Sequence, residues 1–116
     1  MKPKSISGLI FKVKDLNKSA EFYEKLGFVI AKKEPTIVSV RINWFWVELI
    51  PADYEVDNSK PGQFTYITVD DVDQTFDQLT EQGIKVDSEP ADYKTGRREV
   101  MISDPDGYKL VFFSKK

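Results

Sequence analysis

No cysteine and no histidine occurs anywhere in the 116 residues. The first absence excludes disulfides, thiolate nucleophiles and zinc–thiolate sites. The second excludes a histidine general base, a Ser–His–Asp triad and any metal centre that depends on imidazole. Charge of one sign is also missing: 17 basic residues face 19 acidic ones, a net charge of −2. Such a balance provides no basic field to recruit nucleic acid and no acidic tail. Long apolar runs are absent too. Lys12 and Lys14 interrupt the first hydrophobic segment, so we expect neither a signal peptide nor a membrane span, and a cytoplasmic protein with no membrane partner. Any catalysis must then rest on carboxylates, lysine, tyrosine or backbone groups.

What is present is an ordinary apolar fraction, 41%, beside 31% charged residues, the balance of one folded domain. Residues 6–13 read as a strand. Asp15 or Asn17 then caps a helix that carries Ala20, Phe22, Tyr23 and Leu26 at helical spacing and stops at Gly27. Residues 28–32, 36–42 and 44–50 read as three further strands, and the polar stretch 53–62, with Asp57, Asn58, Pro61 and Gly62, as a linker. The same grammar then restarts. Residues 64–69 form a strand, Asp71 opens a helix carrying Val72, Phe76 and Leu79 that runs to Gly83, and residues 84–86 form a short strand. Residues 89–96 read as a loop, and 98–103 and 108–113 as strands split by Asp104-Pro105-Asp106-Gly107. Val13, Asp15 and Gly27 recur 56 residues later as Val69, Asp71 and Gly83. A repeat in which strand, cap, helix and glycine keep their order signals duplicated supersecondary units.

The ordered set Val13-Lys14-Asp15-Leu16, Ser19, Phe22-Tyr23 and Leu26-Gly27-Phe28, followed by Val69-Asp70-Asp71-Val72, Leu79, Gly83 and Asp104-Pro105-Asp106-Gly107, resembles the vicinal oxygen chelate superfamily. That superfamily includes glyoxalase I, extradiol dioxygenases and the fosfomycin- and bleomycin-resistance proteins. The resemblance spans nearly the whole chain. It implies an α+β fold of two tandem βαβββ modules, about residues 1–52 and 63–116 of a single domain. Their mixed sheets would curl around a shared cleft with the helices outside, and the chain would form a homodimer. Metal-using members draw ligands from the first and last strand of each module. Those positions fall here on Gly8, Glu48, Phe64 and Val111, of which only Glu48 carries a donor side chain. The resemblance therefore points to the metal-free, bleomycin-resistance-like branch, with no metal and no cofactor.

Strand alternation assigns faces. With Gly8 and Glu48 toward the cleft, Ile10, Lys12, Trp44, Trp46 and Ile50 share that face, while Phe11, Val13, Val47 and Leu49 turn to the helix side. In the second half Phe64, Tyr66, Lys109, Val111 and Phe113 turn inward and Leu110 and Phe112 form core. The expected ligand-binding residues are Glu48, Trp46, Trp44, Phe64, Tyr66, Lys12 and Phe113. Aromatic faces attract cations and a part-buried carboxylate pairs with them, so this set suits a small aromatic or cationic organic compound. Two alternatives stand beside that reading. One is a lyase or oxidoreductase with an unusual metal site, or with Glu48 as base beside Tyr66 or Lys12. The other is a protein-interaction or regulatory module. Asp104 and Asp106 resemble paired catalytic carboxylates only in spacing, because Pro105 and Gly107 mark a turn. Lys94, Arg97 and Arg98 read as a solvated basic loop.

Overall fold

Both helices start and stop by the same local chemistry. The Asp15 carboxylate accepts the Lys18 N–H at 3.0 Å and opens α1 (Leu16–Lys25). The Asp71 carboxylate accepts the Gln74 N–H at 3.0 Å and opens α2 (Val72–Glu81). Each cap satisfies an N–H that has no partner within its helix. At the far ends Gly27 (φ +100°) and Gly83 (φ +74°) take left-handed conformations. The next residues reach back, Phe28 N–H to the Tyr23 carbonyl and Ile84 N–H to the Leu79 carbonyl, a closure that favours glycine at the turning point.

The computed structural model describes residues 1–60 and 62–115. Pro61, part of the expected linker, and Lys116 lie outside the described residues. Two compact units divide the chain, Met1–Val56 and Asp57–Lys116. The first orders β1 (Gly8–Val13), α1, β2 (Val29–Glu34), β3 (Ile37–Ile42) and β4 (Phe45–Pro51). Its sheet runs β1-β4-β3-β2, with β1 and β4 parallel and the other pairs antiparallel. The second unit repeats this with β5 (Phe64–Thr68), α2, β6 (Val86–Asp92), β7 (Arg97–Ser103) and β8 (Lys109–Lys115), in the order β5-β8-β7-β6. The architecture is thus α+β: two βαβββ modules, each a mixed four-stranded sheet with one helix.

Alternation along the strands places each core. In the first unit Phe11, Val13, Val38, Val40, Val47 and Leu49 are buried, and α1 packs Ala20 and Tyr23 against them. Tyr23 is fully buried, with the Phe28 ring edge-on at 5.2 Å. In the second unit Val72 and Leu79 of α2 meet the buried side of β7 and β8, which carries Val100, Ile102, Leu110 and Phe112. The expectations around β6 change: residues 84 and 85, expected in a short strand, precede it, and the strand continues through residues 87 and 88. Residues 89–92 are strand rather than loop, since β6 runs to Asp92. Pro90 is accommodated because β6 is the edge strand of its sheet and its pairing with β7 slips between Ser88 and Ala91, the setting in which a strand tolerates a residue without an N–H.

Candidate functional site

The Asp-Pro-Asp-Gly segment is a structural turn. Asp104, buried, accepts the backbone N–H groups of Asp106 and Tyr108, both at 2.9 Å. Asn58 donates to the Asp106 carbonyl at 2.8 Å. Arg98 does not belong to a solvated loop. It lies in β7 and holds Asp73 of α2 at 2.8 Å and Asp92 of β6 at 3.0 Å. The bond from Arg98 keeps the Asp73 carboxyl below its ordinary pKa.

On the first sheet, the face turned away from α1 carries Trp46, Glu48, Ile10 and Lys12. Gly8 stands opposite Trp46 and Ile10 opposite Glu48 in the β1–β4 ladder. The Trp46 indole lies over Gly8 and fills the space a Cβ there would take. Glu48 is half-buried and accepts a long bond from the Ser39 hydroxyl, 3.4 Å. Lys12 sits 5.2 Å from the centre of the Tyr54 ring. Trp44 is separate from this group. It falls in the turn before β4, is 65% exposed and meets the Phe45 ring edge-on.

On the second sheet, the face away from α2 forms an open concavity of about 540 Å³. Phe64 and Tyr66 of β5 wall one side, Val111 and Met101 floor it, and Arg97 and Glu99 close one end. Phe113 is next to Tyr66, with ring centres 5.6 Å apart. The Arg97 guanidinium lies over both rings, 5.1 Å from Tyr66 and 6.0 Å from Phe113, and donates from Nε to Glu99 at 2.8 Å. The bond to Glu99, and after it one to Tyr66, holds the Arg97 pKa above its ordinary value despite partial desolvation. The tight turn Tyr93–Gly96, closed by Tyr93 N–H to the Arg97 carbonyl at 2.8 Å, carries Tyr93, Lys94 and Thr95 to the rim.

Phe64, Tyr66 and Phe113 are therefore neighbours on one face of the second sheet. Trp46, Glu48 and Lys12 share a face of the first. Arg97, Glu99, Met101 and Tyr93 were not read as site residues from the sequence. The signal was present: Glu99 and Met101 alternate with apolar Val100 and Ile102, as a half-buried strand does, and the same face extends back to Arg97. Starting the strand at residue 98 hid it by leaving Arg97 in a loop.

The donor set does not fit a catalytic divalent ion. Gly8, Phe64 and Val111 offer no side-chain ligand, and the indole of Trp46 occupies the space in front of Gly8. Among the described residues no three Asp, Glu, His or Cys side chains gather into a group that would hold a metal. Nor is any helix among them long and apolar enough to cross a membrane.

Duplicated βαβββ units with an aromatic concave face define a class, and comparison with known proteins names it. The chain belongs to the Glyoxalase/Bleomycin resistance protein/Dioxygenase superfamily, whose family model matches residues 6–112. Metallothiol transferase FosB of Lysinibacillus sphaericus (strain C3-41) is 28% identical over 118 aligned residues, covering 97% of this chain and 83% of that protein. A lactoylglutathione lyase from Agrobacterium tumefaciens matches with a TM-score of 0.79 at 20% identity, over 97% of this chain and 95% of that one. A bleomycin-binding protein complexed with bleomycin matches with a TM-score of 0.78 at 19% identity, over 97% and 100%. These two structures share the fold; one is named for a reaction and the other for binding, so the fold does not choose between them.

Proposed function

We propose that this protein binds a small aromatic organic compound without a metal ion, in the manner of the ligand-binding rather than the metal-dependent branch of its superfamily. The observation that carries this is the second sheet's concavity: a ring-walled, apolar-floored space of about 540 Å³. Its size falls in the range of about 300–1,000 Å³ usual for small-molecule sites. Phe64 and Tyr66 are its stacking surfaces, and Phe113, edge-on against Tyr66, is assigned as a contact beside them. Trp46, Glu48 and Lys12, with Trp44 at the neighbouring turn, are assigned as ligand contacts on the first sheet. There the carboxylate beside an indole also suits a cationic group. A homodimer in the cytoplasm is part of this proposal. The exposed side chains of Ile10 (56%) and Trp46 (38%) supply apolar surface that a ligand or a second copy would cover.

The similarity to a metallothiol transferase favours a second reading, metal-dependent group transfer, but the absence of donors at Gly8, Phe64 and Val111 opposes it. Calorimetric titration with one- and two-ring aromatic compounds, with and without EDTA, separates the two. Saturable heat that is indifferent to chelator, and weakened by Phe64→Ala and Tyr66→Ala, is expected. Binding that appears only after a divalent ion is added refutes the metal-free reading.

A further inference from the structure

Resting on that reading, we propose that the ligand of the second-sheet concavity is an aromatic acid: a flat ring system whose carboxylate pairs with Arg97. Four observations converge. First, the charges lining the concavity are Arg97, Lys94 and Glu99, a formal excess of one positive charge. Second, the single carboxylate among them is already committed, because Glu99 Oε2 takes the Arg97 Nε–H at 2.8 Å. Third, the cation is the more accessible member of the pair: the Arg97 side chain is 34% exposed and that of Glu99 11%. An entering ligand meets the guanidinium first. A cationic ligand would have to separate the pair and leave the guanidinium beside a second positive charge. An anionic one adds a partner and leaves Glu99 in place.

The fourth observation is the posture of the guanidinium. Its Cζ lies 5.1 Å from the centre of the Tyr66 ring and 6.0 Å from that of Phe113, and it is tied at Nε to Glu99. Its orientation is therefore restricted before any ligand arrives. A planar fork of N–H donors held in this way matches a carboxylate in two-point fashion, with little further loss of side-chain freedom. The rings that fix it continue into Phe64 and the Val111–Met101 floor, so an acid anchored at Arg97 lays its ring system along them. Lys94, on the Tyr93–Gly96 turn, adds charge at the rim without fixed geometry.

The test is a ¹H–¹⁵N titration of the whole chain, at neutral pH, with three probes that share one ring system: 2-naphthoate, 2-naphthamide and 2-naphthylmethylammonium. Naphthoate is expected to move the Arg97 Nε–H and the Tyr93–Gly96 amides, and to bind at least about tenfold more tightly than the amide, with the ammonium weakest. Arg97→Gln should remove about tenfold of naphthoate affinity and much less of naphthamide affinity, so that the preference for the acid collapses, with retained signal dispersion showing that it folds. Lys94→Gln, on an exposed turn, should lower naphthoate affinity a few-fold, and less at high salt. Naphthamide or the ammonium binding as well as naphthoate overturns the anion assignment and leaves the aromatic-binding reading standing. A naphthoate preference that survives both substitutions also overturns it. If none of the three probes moves these resonances at millimolar concentration, the aromatic-binding reading itself falls, and this inference with it.

Discussion

The contact between Gly8 and Trp46 gives a prediction whose sign can be worked out. The two residues face each other across the parallel β1–β4 ladder. The φ of Gly8 is not in the left-handed region, so its backbone accepts a side chain. In a strand, replacing glycine by alanine stabilises by about 0.5–1 kcal/mol through the unfolded chain's entropy. Against this, the new methyl group would stand inside the Trp46 ring. Forcing an extra group into occupied space costs about 1–3 kcal/mol. The net for Gly8→Ala is a destabilisation of about 0.5–2 kcal/mol, softened because the part-exposed indole can swing outward. In a Trp46→Ala background the obstruction is gone and the same change should stabilise by about 0.5–1 kcal/mol. Urea unfolding of the four proteins, followed by far-ultraviolet circular dichroism, closes the double-mutant cycle. A coupling of about 1–3 kcal/mol is expected, well beyond the few tenths by which independent sites depart from additivity. Equal effects of Gly8→Ala in both backgrounds, or stabilisation with Trp46 present, refute the reasoning. The consequence reaches function, since any metal ligand introduced at position 8 must first displace the indole.

Three further outcomes follow from the second unit and the caps. Asp104→Ala strands two backbone N–H donors near a buried carboxylate position and should cost about 1–3 kcal/mol in unfolding free energy, with Asp104→Asn recovering part of it. Asp15→Ala and Asp71→Ala should each lower stability by about 1 kcal/mol, and together by the sum, because they serve separate helices. Arg98→Gln should return the Asp73 carboxyl to the ordinary aspartate range, read as its carboxyl ¹³C titration. Asp73 is depressed in the folded state, so its contribution is present above its unfolded pKa and fades as pH falls through the folded one. The wild type should therefore lose more stability than Arg98→Gln between neutral and acid pH. Asp73 titrating identically in the two proteins contradicts the assignment.

The repeat was legible because its markers act locally. Asp15 and Asp71 cap within three residues, and Gly27 and Gly83 close the turns that follow. No distant partner is needed to read them. The first-sheet faces were legible for a similar reason, since Val47 and Leu49 alternate with Trp46 and Glu48. β6 was not, because Asp87, Ser88, Glu89 and Pro90 have the composition of a loop, and only pairing with β7 across two slips makes them a strand. Arg97 was lost by one residue of strand boundary. The Trp46–Gly8 contact was invisible in principle: it depends on the parallel register of β1 with β4, which no local pattern encodes.

That register also explains why the two units, alike in topology, present different surfaces. The pairs Gly8–Trp46 and Phe64–Lys109 occupy matching places at the start of the two parallel ladders, followed by Ile10–Glu48 and Tyr66–Val111. In the first unit the aromatic ring rises from the inner strand and folds over a glycine on the edge strand, covering the backbone there. In the second the ring stands on the edge strand, and the inner-strand partner is Lys109, which turns to Asp87 and Ser103. One step further on, Glu48 in the first unit is replaced by Val111 in the second, so the floor becomes apolar where its counterpart is charged. Exchanging large for small across one pair, and polar for apolar at the next, leaves the second sheet with open space between standing rings. Two units of one topology thus differ in side-chain size and polarity at matching positions of their parallel ladders, and the proposed aromatic-acid selectivity rests on the arginine at the end of the space this leaves.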